Sequence, residues 1–166
     1  MRQAQLMSKE RLIYWPGEFA EIMDLLTGKD KHGGRLPIAM YEFNTQAIVL
    51  AACIGVAEGR KRDIGSSTKK EISTVTMAGH GLERFIFLIP QLAEPDKAVD
   101  ILRTSNEELA IREFERYAAG GLEVLAGAIE RSPLSSIDAI VAQLVKAQDT
   151  PSTGAPEDEE MPDLME

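Results

Sequence analysis

The stretch Ile111-Arg-Glu-Phe114-Glu-Arg-Tyr117-Ala118-Ala-Gly120-Gly121-Leu122-Glu-Val-Leu125-Ala-Gly-Ala-Ile129 decides the fold. Its apolar residues recur every three or four positions, the spacing of one helical face. Ser105 and Glu108 have capping-box spacing just upstream, so each would satisfy a backbone N–H left open at a helix start. Gly120-Gly121 interrupts the run and costs roughly 2 kcal/mol of helix propensity. The pair implies either a tight packing contact or a break between two helices. Arg112, Glu113, Glu115 and Arg116 pair at three and four, which reads as a solvated face. Tyr117 shares a face with Phe114 and reads as a core anchor with its hydroxyl at the rim.

Working outward, residues 134–148 form a further helix with Ile137, Ile140, Val141 and Leu144 inward. Upstream, residues 81–92 read as a helix that Pro90 must end or kink. A short helix over 96–102 follows Pro95. Residues 39 to about 59 read as a helix, apolar nearly all round over 47–57 and so buried on most sides, with Thr45 as a candidate cap. Cys53 sits in that run and reads as an inert core residue, and Gly55 as a point of close helix approach. Pro16 suits a first helical turn, followed by Phe19, Ile22, Met23 and Leu26 on one face and Gly28 as the stop. Residues 28–37 read as a loop and 71–76 as extended. Residues 1–15 are open between a short helix and an arm. The expectation is a mainly α, compact single domain of five to six helices over 1–148, with at most one short strand pair.

The chain has 27 acidic and 18 basic residues, a net charge of −9. Seven of the acids lie in 149–166, where no Lys or Arg occurs, so residues 1–148 carry only −2. That excludes a broadly basic nucleic-acid surface but leaves room for a local basic site. The segment 149–166 is rich in Pro, Ser, Thr and acids and reads as a disordered acidic tail. Its Glu157, Asp158, Glu159 and Glu160 are candidates for a basic partner, against the plainer reading of a solubilising tail. One cysteine excludes an internal disulfide and a multi-cysteine zinc site. Two histidines far apart are poor metal ligands, so no metal and no cofactor are expected. No apolar run is long enough to span a bilayer and no apolar signal core is visible, which points to a cytoplasmic protein.

Arg60, Lys61, Arg62, Lys69 and Lys70 place five cations within eleven residues, beside Gly59, Gly65 and Ser66. Such a flexible basic connector suits salt-sensitive contact with DNA phosphates. The plainer reading is a solvated loop after a helix, where cations also favour the negative end of the dipole. Gly55 to Gly59 lacks the Gly-Lys-Ser/Thr ending of a phosphate loop. His80, between Gly79 and Gly81, has no nucleophile or carboxylate pair beside it and reads as a helix cap or turn residue. No catalytic set emerges.

Two segments carry a resemblance. Ala51-Ala52-Cys53-Ile54-Gly55, continuing to Gly59-Arg60-Lys61-Arg62, is similar to an Ala-Ala-x-Leu-Gly-Tyr-x-x-Gly-x-Arg pattern, departing from it at Val56 where an aromatic is usual. Phe114-Glu115-Arg116-Tyr117-Ala118-Ala119-Gly120-Gly121 resembles Phe-Glu-x-Tyr-Ala-x-Gly-Gly. In this order they resemble the DNA phosphorothioation-associated protein 4 (dnd system-associated protein 4) family, over residues 34–130. The resemblance implies a non-enzymatic accessory subunit of a DNA sulfur-modification and restriction system active in anti-phage defence. It also implies larger ATPase or nuclease partners, and brings no catalytic residues. The alternative is a helical DNA-binding transcriptional regulator of the same locus. Against it, the helix beginning at Ser105 carries as many acids as bases around 112–116.

Overall fold

The computed structural model describes residues 6–29, 34, 39–65, 68–97, 103, 106–132 and 136–149. These form six α-helices and one antiparallel strand pair. Strand β1 (Leu12–Pro16) leads through a 3-10 turn (Gly17–Phe19) into helix α1 (Ala20–Leu26). Helix α2 (Asn44–Ala57) is followed by β2 (Lys69–Ser73), α3 (Thr74–Gly79) and α4 (Phe85–Ala93). A 3-10 turn (Pro95–Lys97), α5 (Glu107–Arg131) and α6 (Ser136–Asp149) complete the order. The mainly helical expectation with one short strand pair holds. The tail with Glu157, Asp158, Glu159 and Glu160, and the cap Ser105, lie outside the described residues, as do 98–102 of the expected helix over 96–102.

The centre is the crossing of α2 and α5. Gly120-Gly121 neither breaks nor splits α5, which runs unbroken for 25 residues. A Cβ at Gly121 would overlap the Ala51 carbonyl, and one at Gly55 would overlap the Tyr117 carbonyl. The missing side chains let two backbones touch, and that contact outweighs the propensity cost of glycine. Phe114, Leu122 and Leu125 on α5 and Ile48 and Ile54 on α2 are buried around this crossing. Each such side chain contributes roughly 1.5–3 kcal/mol by leaving water.

Several local readings are corrected. Residues 12–16 are a strand because Ile13 and Trp15 face the core while β2 pairs with the chain, Ile13 opposite Ile72. Residues 71–76 are extended only to Ser73; the Ser73 hydroxyl then accepts from Val75 N–H and starts α3. The helix expected over 81–92 begins at Phe85, because Gly81 (φ +71°) ends α3. The amides of Gly81 and Leu82 donate to the Ala78 and Met77 carbonyls, each at 2.9 Å. Pro90 lies inside α4, which continues to Ala93. Thr45 does not cap α2. Gln46 does part of that work, its Oε1 accepting from the amides of Glu42 and Phe43 at 3.1 and 3.2 Å. Cys53 is exposed and not part of the core.

Candidate functional site: a basic clip on the central helix

The five cations singled out in the sequence divide between two elements. Arg60, Lys61 and Arg62 follow α2, whose end is set by Gly59 (φ +60°). There the Arg60 and Gly59 amides donate to the Gly55 and Val56 carbonyls at 2.7 and 3.0 Å. The chain then lies directly on α5. A Cβ at Gly120 would overlap the Arg60 carbonyl, and the Arg62 amide donates to the Arg116 carbonyl at 3.0 Å. Residues 60–62 are thus a seated clip and not a flexible connector, because Gly120 leaves a trough for their backbone.

Their side chains meet carboxylates. Arg60 Nε donates to Glu123 Oε2 at 3.1 Å. Arg62 pairs with Glu18, lies 3.7 Å from Glu123 Oε1, and covers the Phe19 ring at 5.0 Å. Lys61 is the hub. Its Nζ pairs with Glu94 at the end of α4 and donates to Glu113 Oε2 at 2.7 Å, while sitting 4.9 Å from the centroid of the Tyr117 ring. Tyr117 Oη donates to Glu94 Oε1 at 3.4 Å, the rim bond expected of it. Arg116 adds a bond from Nη1 to Glu113 Oε1 at 3.1 Å and an ion pair with Asp63 at 2.8 Å. Of the face read as solvated, Arg112 is exposed, but Glu113, only 7% exposed, and Arg116 join this ion-pair network.

Lys69 and Lys70 stand on β2, exposed. Lys69 Nζ lies 5.7 Å from the Tyr14 ring, and neither lysine makes an ion pair among the described residues. His80 closes α3, with Nδ1 2.7 Å from the hydroxyl of buried Thr45 and its ring stacked on Phe43 at 4.2 Å. That is the capping and packing role the sequence suggested. Among the described residues no group of three or more His, Cys, Asp or Glu side chains is placed to hold a metal ion, and no helix is long and apolar enough to cross a membrane.

Sequence reasoning missed the carboxylates that receive the N-terminal arm. Glu83 and Glu107, 4% and 2% exposed, accept amides of residues 6–8, and Glu115 accepts the Tyr14 amide at 2.7 Å. The trace of Glu107 and Glu115 in the sequence is acids interleaved with apolar residues on α5, which does not identify their donors, and Glu83 in the turn before α4 has no such trace.

These carboxylates titrate in opposite directions. Burial pushes Glu113 up, but the bonds from Lys61 and Arg116 outweigh it and hold the carboxyl below its ordinary range. Burial likewise opposes, and Ser8 and Arg11 outweigh it, at Glu107. Burial raises Glu115, with the Tyr14 amide and Lys69 opposing. A lowered folded value stabilises above the unfolded value of about 4.3 and is lost as pH falls through the folded value. Denaturant melts should therefore lose stability steadily below about pH 4.3, and Glu113→Gln should flatten that loss. A raised folded value stabilises at low pH and is lost as pH rises through it. Glu115→Gln should accordingly keep or raise the midpoint at pH 7.

The fold and its polar centre define a class: a small helical protein whose charged residues fasten its own elements together. The chain belongs to the DNA sulphur modification system-associated protein 4 family, whose model matches residues 13–163. Both motifs quoted above lie within that match, and they are the two surfaces that meet at the α2–α5 crossing. No curated protein and no solved structure matched the chain.

Proposed function

We propose that this chain is a non-enzymatic accessory subunit of a cytoplasmic DNA sulfur-modification and restriction system, and that it works by docking on a larger protein of that system in anti-phage defence. Membership of a family associated with DNA sulphur modification supports the setting. The observation that carries the docking reading is the ion-pair network itself. Arg60, Lys61 and Arg62 face Glu18, Glu94, Glu113 and Glu123, so a DNA phosphate would have to displace a carboxylate already in place. The titratable groups at the clip face one another, which favours a scaffold over a reacting centre.

Direct contact with DNA is assigned to Lys69 and Lys70, the two candidates that make no ion pair among the described residues, with Lys69 near enough to Glu115 to favour its charged form. Two phosphate contacts give a slope of about −1.8 in log affinity against log salt for duplex. We expect any duplex binding to be weak, to follow that slope, and to disappear in Lys69→Ala/Lys70→Ala. A slope several-fold steeper, or footprinting of a discrete site at the system's promoter, would favour the regulator reading instead.

A further inference from the structure

We propose that residues 6–11 are a latch seated in a groove built to receive a bent stretch of main chain, and that a partner segment with the apolar–hydroxyl–x–x–guanidinium spacing of Met7, Ser8 and Arg11 takes its place. This deepens the docking reading above and rests on it. The groove lies between the turn before α4 and the start of α5. Glu83 accepts the adjacent amides of Leu6 and Met7 at 2.8 and 3.0 Å. Glu107 accepts the amide and the hydroxyl of Ser8, both at 2.9 Å, and lies 3.4 Å from Arg11 Nε. Arg11 Nη1 reaches Glu108 at 2.7 Å. Met7 is 4% exposed and belongs to the hydrophobic core.

Two nearly buried carboxylates from different elements converge on one stretch of backbone. Buried charge is costly without donors, so the groove demands a segment rich in N–H groups. Two successive amides reach one carboxylate because residues 6–9 are bent, whereas in an extended strand neighbouring N–H groups point to opposite sides; three acids along the groove select a cationic segment over nucleic acid. The amide bonds are made to backbone, so another segment reproduces them; specificity falls to the apolar, hydroxyl and guanidinium positions. The arm can leave without dismantling the sheet. Arg11 marks the boundary, its amide donating to Thr74 Oγ1 at 3.0 Å and its carbonyl accepting from the Thr74 amide at 2.9 Å. Beyond it β1 is held by β2.

The test uses the full chain with Ser8→Ala and Arg11→Ala, and a fluorescent peptide of residues 5–12, Gln-Leu-Met-Ser-Lys-Glu-Arg-Leu. In the unaltered chain the tethered arm competes at an effective concentration on the order of millimolar, so the peptide should bind at least about tenfold more weakly there. In the loosened chain the amides of residues 6–8 should exchange at least about tenfold faster, and the peptide should bind saturably. Adding Glu107→Gln should weaken that binding at least about tenfold, since charge-assisted bonds become neutral ones. The proposal is overturned if the amides stay protected, if the loosened chain no longer melts cooperatively, if the peptide does not bind, or if binding ignores Glu107. No other protein of the system is present, so failure here is separable from failure of the docking reading.

Discussion

Gly121→Val should abolish the cooperative fold. The new side chain would point at the Ala51 carbonyl, with the Gly55 amide nitrogen 3.0 Å from its first carbon. Both obstacles are backbone, so no rotamer change relieves them; α2 and α5 must separate. Separation opens the whole core between them, including Phe114 and Ile48. A cost of about 5 kcal/mol or more is expected, comparable with the entire stability of a typical domain. Circular dichroism should show either no thermal transition or one lowered by at least about 10–20 °C. Gly79→Ala is the control. It lies in α3 with nothing within 4 Å of the added carbon, so it should be neutral or stabilising by up to about 1 kcal/mol. A Gly121→Val protein melting within a few degrees of its parent would mean that the helices do not touch there.

Lys61→Met should be the most damaging change among the basic residues. It removes the partner shared by Glu94 and Glu113, whose side chains are 19% and 9% exposed. Breaking a buried pair costs about 3–5 kcal/mol; partial exposure lowers the expectation to about 2–3 kcal/mol. The loss should be greatest at neutral pH and shrink in acid, where the two carboxyls can protonate. Adding Glu94→Gln and Glu113→Gln to Lys61→Met should recover part of the stability, because two carboxylates then no longer face each other without the ammonium between them. Arg60→Ala, at an exposed pair, should cost no more than about 1 kcal/mol. If Lys61→Met and Arg60→Ala were equally mild in urea titrations, the clip would be only surface decoration.

The helices were legible because burial imposes a period on the sequence: the spacing from Ile111 to Ile129 has one helical solution. The role of Gly55 and Gly120-Gly121 was half legible. Glycine in an apolar helix signals either contact or break, and only the partner backbone decides. The surroundings of the basic segment were hidden for a related reason. Arg60, Lys61 and Arg62 are adjacent to one another but 33 to 63 residues from Glu94, Glu113 and Glu123. Local charge density cannot register a neutralising partner brought in by tertiary packing. The same holds for Glu83 and Glu107, 76 to 99 residues from the amides they accept. The sequence marks periodic burial well and marks long-range polar pairing hardly at all.

The central claim, that this chain acts by docking on a protein of its sulfur-modification system, is tested most directly by native mass spectrometry. The full chain would be mixed with purified proteins encoded in the same system, with and without duplex DNA. The account predicts a complex of fixed stoichiometry between the chain and one larger component, formed without DNA. A chain that stays alone with every component, yet shifts duplex DNA by itself, would contradict it.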